Sequence, residues 1–228
     1  MTEELREGFD AVILAVGALQ GRDLPVPGRE LGGVHPAMDY LVQQNRRVAG
    51  SPVDGKEITA RGKKVVILGG GDTSADCLGN ANREGAESVR VITHGPEPPD
   101  SPDVLEWPDW PFVLRTYPAH EEGGEREWSI AVTGFSGADG RVERLHAVRA
   151  EWTPDRRIEH VAGTEFEIEA DLVLLAIGFA GPGRDRLLED LDLCYTDRGA
   201  IRSENGFGTR EPGFFVAGDA KFGASLIV

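Results

Sequence analysis

Cysteine is nearly absent from this chain: 228 residues carry two, Cys77 and Cys194, with no CxxC pair. Neither a thioredoxin-type redox couple nor a zinc or iron–sulfur cluster can be assembled from so few thiols. Both read as small apolar residues in a reducing compartment. Positive charge is also scarce, with 24 Lys and Arg against 39 Asp and Glu and a net charge of −15. That balance argues against nucleic acid as a partner and fits a solubilising surface. Long apolar runs are missing too. The longest, Leu172 to Ala180, is far below the roughly 20 residues of a membrane-spanning helix, so no membrane association is expected. The opening MTEELREG is acidic and carries no apolar h-region, so it does not read as a signal peptide; the cytoplasm is the expected location. The five histidines are scattered, which makes a metal site improbable.

Glycine is what the chain has in abundance, 30 residues of it, along with 14 prolines. The most informative stretch is KKVVILGGGDTSADCLGNANREG, residues 63–85. Four apolar residues, Val65 to Leu68, run into Gly69, Gly70 and Gly71 and then into a helical pattern. Strand, glycine turn and helix in that order suit a dinucleotide pyrophosphate. Gly69 permits the tight turn, Gly71 lets backbone approach the anion, and the helix aims its free N–H groups at it. Asp72, Thr73 and Ser74 complete the candidate cradle, although Ser74 stands where Gly or Ala is usual.

Around this unit, 10–18 reads as a buried strand, 21–33 as a Pro/Gly-rich loop and 36–48 as a short helix. The polar stretch 49–62 suggests a domain boundary. A second strand is expected over 88–93, and six prolines between 95 and 111 mark an irregular loop bearing Trp107 and Trp110. Alternation from 128 to 169, broken by Ala138-Asp139-Gly140, predicts a hairpin and a third strand. Residues 171–179 repeat the pattern of 10–18, and PGFFVAGDA again runs from strand into glycine.

Four strand–glycine units therefore recur, LAVGA at 14–18, ILGGG at 67–71, LAIGF at 175–179 and VAGDA at 216–220. They are spaced like one nucleotide domain inserted into another, and in this the chain resembles the flavoprotein reductases with two dinucleotide-binding domains. RDLPVPGREL at 22–31, GGGDTSADC at 69–77, WPDWPFVLRTYPAHEEGGEREWS at 107–129, EADLVLLAIGF at 169–179 and PGFFVAGD at 212–219 sharpen the match. In that order they are similar to the glutamate synthase small (beta) subunit.

The resemblance implies an α/β fold in which a nicotinamide domain is inserted into an incomplete FAD domain. Residues 1–50 and 179–228 would be the two FAD-domain pieces, the second truncated, and 51–178 the NAD(P)-binding domain with its β-meander. It further implies a nicotinamide nucleotide on Gly69, Gly70, Gly71, Asp72, Thr73, Ser74, His94 and Gly178, and FAD against Gly17, Gly218 and Asp219. Such a subunit oxidises NAD(P)H, holds FAD and passes electrons through iron–sulfur clusters. Its partner, the large subunit, makes glutamate from glutamine and 2-oxoglutarate. The family's N-terminal iron–sulfur domain and its FAD-binding GxGxxG are not in this sequence, and SLIV ends it within an apolar run, so an internal fragment is expected. A nucleotide-binding fragment inert alone, or the reductase module of another dehydrogenase, are the alternatives.

Hydride transfer between cofactors needs orientation more than proton transfer, so no catalytic side chain is nominated. His120, Glu121 and Glu122 could border the nicotinamide or could lie in a solvated loop. No Arg pair follows Thr93 to clamp a 2′-phosphate, although His94 could add one weaker contact, so NADH is favoured over NADPH.

Overall fold

The computed structural model describes residues 2–53, 55–101, 113–153, 155 and 157–224. The chain divides into two units: 23–177 is continuous, whereas 1–22 and 178–228 together make the other. The expected boundary near residue 50 thus lies inside the larger unit, and the second break falls one residue before the expected 178/179. Trp107 and Trp110 lie outside the described residues.

The larger unit is built on a parallel sheet. Its strands are β2 (Val34–Pro36), β3 (Lys64–Leu68), β4 (Ser88–Ile92), β5 (Glu125–Glu127) and β10 (Leu172–Leu175), in the order β2-β10-β3-β4-β5. Leu172–Leu175 is buried throughout and pairs with Val65–Leu68 on one side and Val34–Pro36 on the other. Continuous apolar runs of this kind belong to strands covered on both faces. Helices α2 (Ala37–Val48) and α3 (Asp72–Glu84), with the short α4 (Pro118–Glu121), cover one face. There Tyr40, Leu41, Cys77 and Leu78 pack against Val65, Ile67, Val89, Val91, Leu172 and Leu174. This packing explains the boundary: β2 and α2 commit residues 34–48 to the larger unit's sheet and core.

The opposite face is covered by an antiparallel meander, β6 (Ile130–Ser136), β7 (Arg144–Trp152), β8 (Ile158–His160) and β9 (Phe166–Glu169). Ile130, Phe135, Leu145 and Ile168 meet Val66, Leu68, Ile92 and Val173 there. The Asp-Gly turn is where the sequence puts it: Asp139 and Gly140 both have positive φ, and Arg141 N–H donates to the Ala138 carbonyl (2.9 Å).

In the smaller unit, β1 (Val12–Leu14) pairs in parallel with β11 (Phe214–Val216), accompanied by α1 (Thr2–Gly8), α5 (Arg186–Glu189) and α6 (Asp219–Phe222). Leu14, Leu188, Ile201, Phe214 and Val216 form its core. The strand expected over 10–18 is shorter than predicted and buried on one side only. Ile13 is 68% exposed beside Phe215 at 39%, since nothing among the described residues of this unit covers that face. Among the described residues, no helix is long and apolar enough to cross a membrane.

Candidate functional site

The chain leaves β3 at Leu68 and reaches α3 through three glycines that differ in what they do. Gly69 sits at φ +126°, and a Cβ there would lie 2.1 Å from the Ala176 carbonyl oxygen. Its N–H donates to the Ile92 carbonyl (2.8 Å), so the turn is wedged between β10 and β4. A side chain at Gly70 would meet Thr93 Oγ1 at 2.8 Å. Gly71 is under no such constraint: its φ and ψ, −94° and −168°, are open to any residue, and a Cβ would meet nothing within 4 Å. The fold therefore requires glycine at 69, whereas at 71 it leaves room for a group that approaches the backbone.

Gly71 is also the residue that begins α3. Its carbonyl accepts from the N–H groups of Ser74 (3.0 Å) and Ala75 (3.1 Å), and no side chain caps the helix. The N–H groups of Asp72 and Thr73, the first two in the helix, have no intrahelical acceptor and face outward with the positive end of a 13-residue dipole. Ser74 is 1% exposed, and its Oγ has no hydrogen-bond partner among the described residues. Its place is in the close contact between α3 and the sheet, not at the surface of the cradle. Gly69, Gly70, Gly71, Asp72 and Thr73 thus lie together in the β3-to-α3 turn at the C-terminal edge of the parallel strands, where ligands of such sheets bind.

The wall beside this cradle comes from elsewhere in the chain. A hydrogen bond with Asp72, the largest influence on it, raises the Tyr117 phenol above its usual range. His120 Nδ1 accepts the Tyr117 N–H (3.0 Å) in a capping box that starts α4. Burial, and secondarily the Arg126 guanidinium, lower the His120 imidazole. Glu122 forms an ion pair with Arg83 of α3. Of the three residues expected as nicotinamide neighbours or solvated loop, His120 caps α4, Glu122 ties it to α3, and Glu121 is exposed.

His94 follows β4, half-buried, its ring stacked on Trp152 with centroids 6.2 Å apart and 21° between planes. Burial lowers its pKa, so near neutral pH it carries no charge to offer a phosphate. Gly178 belongs to the smaller unit, where its carbonyl accepts the Arg22 N–H (2.9 Å).

Gly17 (φ +73°), Gly218 (φ +63°) and Asp219 follow the C-terminal ends of β1 and β11, which run side by side. Neither glycine would place a Cβ within 4 Å of any atom, so both backbones are open to close approach. The smaller unit's cavity of about 610 Å³ is lined instead by residues such as Arg22, Phe179, Arg198, Lys221 and Phe222. The expected FAD residues do not line it.

Cys77 is fully buried and its thiol is pushed up to about 12 by burial, whereas Cys194 is half-buried. Among the described residues, no cluster of three His, Cys, Asp or Glu side chains could hold a metal.

Sequence reading did not find Thr93, Tyr117, Arg126 and Trp128 as parts of this region. Tyr117, Arg126 and Trp128 all fall in the family-like stretch 107–129, but Glu125–Glu127 is an edge strand of three residues with no apolar member and gives no strand signal.

No family model matches the chain. It is 51% identical over 99% of its length to the glutamate synthase (NADPH) small chain of Mycobacterium tuberculosis, of which it covers 47%. It is 37% identical, again over 99%, to the glutamate synthase (NADH) of Schizosaccharomyces pombe, of which it covers 11%. Among solved structures, Mycobacterium tuberculosis FprA in complex with NADPH superimposes with a TM-score of 0.67 at 20% identity, over 100% of this chain and 62% of that one. The chain thus spans about half the length of the curated bacterial relative it matches, resembles glutamate synthase small chains from end to end, and has the α/β fold of FAD- and NAD(P)-binding flavoprotein reductases.

Proposed function

We propose that this chain is an internal stretch of a glutamate synthase small subunit, and that its larger unit holds NAD(P)H on Gly69, Gly70, Gly71, Asp72, Thr73 and Ser74. The observation that carries the reading is the contrast between Gly69, which the fold requires, and Gly71, which it does not. An unhindered glycine at the start of an uncapped helix suits a pyrophosphate. The Asp72 and Thr73 amides would donate to its oxygens, and the dipole of α3 would favour its charge. Ser74 would serve by close helix–sheet packing.

The smaller unit would contribute Gly17, Gly218 and Asp219 to an FAD site completed by the part of the subunit beyond this chain. Bound together, the two cofactors supply hydride transfer from nicotinamide to flavin. This chain's residues would bind and orient, and none of those named is assigned a proton-transfer role. In the whole subunit the electrons would pass through iron–sulfur clusters of its N-terminal portion to the large subunit, for glutamate synthesis from glutamine and 2-oxoglutarate. The 51% identity to a small chain and the long match over 107–129 support this assignment over a reductase module of another dehydrogenase.

The choice of nucleotide stays with the residues, because relatives are named for NADPH and for NADH alike. The stretch after β4 favours NADH by itself, with no Arg pair and a neutral His94. Calorimetric titration with NADH and NADPH tests the site. Saturable binding of either at one equivalent supports it, and no binding of both refutes it.

A further inference from the structure

Beside the strand that normally carries the residue reading the ribose 2′ position stands a cation, Arg126, that forms no ion pair among the described residues, Glu97 acting on it only from beyond ion-pair range. β4 is that strand, the second of the βα unit. β5 runs parallel to it, with Arg126 opposite Val91 and the Glu127 carbonyl accepting the Thr93 N–H (2.9 Å). Val91 belongs to the core under α3, so Arg126, in register with it, lies on the same face of the sheet. Its guanidinium sits over the ring of Trp128, 5.3 Å from the centroid. Trp128 is two residues further along the strand direction, so the Arg126 side chain leans toward the C-terminal edge, where the glycine cradle lies.

Arg126 is half-buried, yet one hydrogen bond is recorded for it, from Nη2 to the Arg115 carbonyl (3.2 Å). Among the described residues no carboxylate lies within 4.0 Å of it, although Arg83 has one and Arg90 two. A guanidinium has five N–H donors in a planar fork, and desolvating it without an anion is costly. A fork at this place, held flat over an indole, matches a phosphate bidentately.

Resting on the proposed nicotinamide-nucleotide site, we propose that Arg126 binds the 2′-phosphate of NADPH, supplying from β5 the cation that the stretch after β4 lacks. Burial lowers its pKa, offset in part by the Glu97 carboxylate, and the guanidinium stays charged.

The test uses the chain as it stands, with 2′,5′-ADP and 5′-AMP as probes that differ by that one phosphate. The parent is expected to bind 2′,5′-ADP at least tenfold more tightly than 5′-AMP. Arg126→Ala should erase this preference while leaving 5′-AMP affinity within twofold; Arg126→Lys, which keeps the charge without the fork, should fall between. Thermal melting checks folding, and Arg126→Gln replaces the Ala variant if that one does not fold. A parent without preference, or a variant that weakens both ligands equally through lost base stacking, overturns the role of Arg126 while sparing the site. A parent that binds neither probe overturns the site itself, and the inference with it.

Discussion

Putting a side chain on Gly71 separates binding from folding at a single position. In Gly71→Val the backbone keeps its conformation, since φ −94° and ψ −168° lie in the region β-branched residues favour, and the Cβ meets nothing within 4 Å. The stability change should therefore stay within about 0.5 kcal/mol, as for other unconstrained surface substitutions. The nucleotide loses far more. The valine methyls would occupy the approach to the Asp72 and Thr73 amides, and hydrogen bonds to a charged acceptor are worth roughly 1.5–3 kcal/mol each. Two of them lost come to about 3–6 kcal/mol, a weakening of NADH or NADPH of at least a hundredfold. Gly69→Ala should behave in the opposite sense. Its Cβ would sit 2.1 Å from the Ala176 oxygen at φ +126°, so the turn must move or β10 must yield. Strain of that kind costs about 1–3 kcal/mol before the clash is counted. Calorimetry and thermal melting on both variants give four numbers. Parent-like affinity in a folded Gly71→Val would refute the cradle, whatever Gly69→Ala does.

Acid should weaken the larger unit before its carboxylates titrate. His35, His94 and His120 all have pKa values lowered by burial, so the unfolded chain takes up protons near pH 6.5 that the folded chain refuses. Stability is then full above that value and falls as pH drops below it. Melting temperatures that rise between pH 7 and 5.5 would contradict this. Cys77, with its thiol pushed up to about 12, should resist an aromatic disulfide reagent that labels Cys194 within minutes. Equal labelling rates in the native protein would show that the core under α3 opens readily. In the smaller unit, the two-stranded pairing of β1 and β11 should exchange its amides much faster than β3 and β10, because so narrow a sheet is marginal in water. By the same reasoning the chain alone should purify colourless and fail to reduce dyes with NAD(P)H. Stoichiometric FAD with turnover would overturn that expectation.

What the sequence discloses is local. The run Val65 to Leu68, three glycines and a helix with its left-handed stop at Gly85 are all written within 21 residues, and the structure builds them there. The Asp139-Gly140 hairpin is legible for the same reason: its turn needs positive φ at two adjacent positions. What pairs over distance is not disclosed. Val34–Pro36 has no signal of its own that it will lie beside Val173–Leu175, and without that pairing the stretch 49–62 looks like a natural break. β5 fails as a pattern because Glu125-Arg126-Glu127 is charged throughout, so nothing marked Arg126 as part of the sheet. The glycines of the site could be read one by one. Tyr117, hydrogen-bonded with Asp72, and the proposed phosphate ligand Arg126 come from beyond β4, a neighbourhood only the folded chain reveals.

The hydrogen bond from Arg22 N–H to the Gly178 carbonyl has a consequence for the order of folding. These two residues flank the larger unit in sequence, and the smaller unit can form only when they meet. In an unfolded chain that meeting closes a loop of roughly 150 residues, at an entropic cost of roughly 4 kcal/mol. Once 23–177 has folded around its own sheet, the free loop has vanished and its two ends are held by structure. The larger unit then acts on the smaller as a covalent cross-link would, restricting the states in which Val12–Leu14 and Phe214–Val216 wander apart. Refolding should therefore proceed from the inserted unit outward, the β1–β11 pairing appearing last.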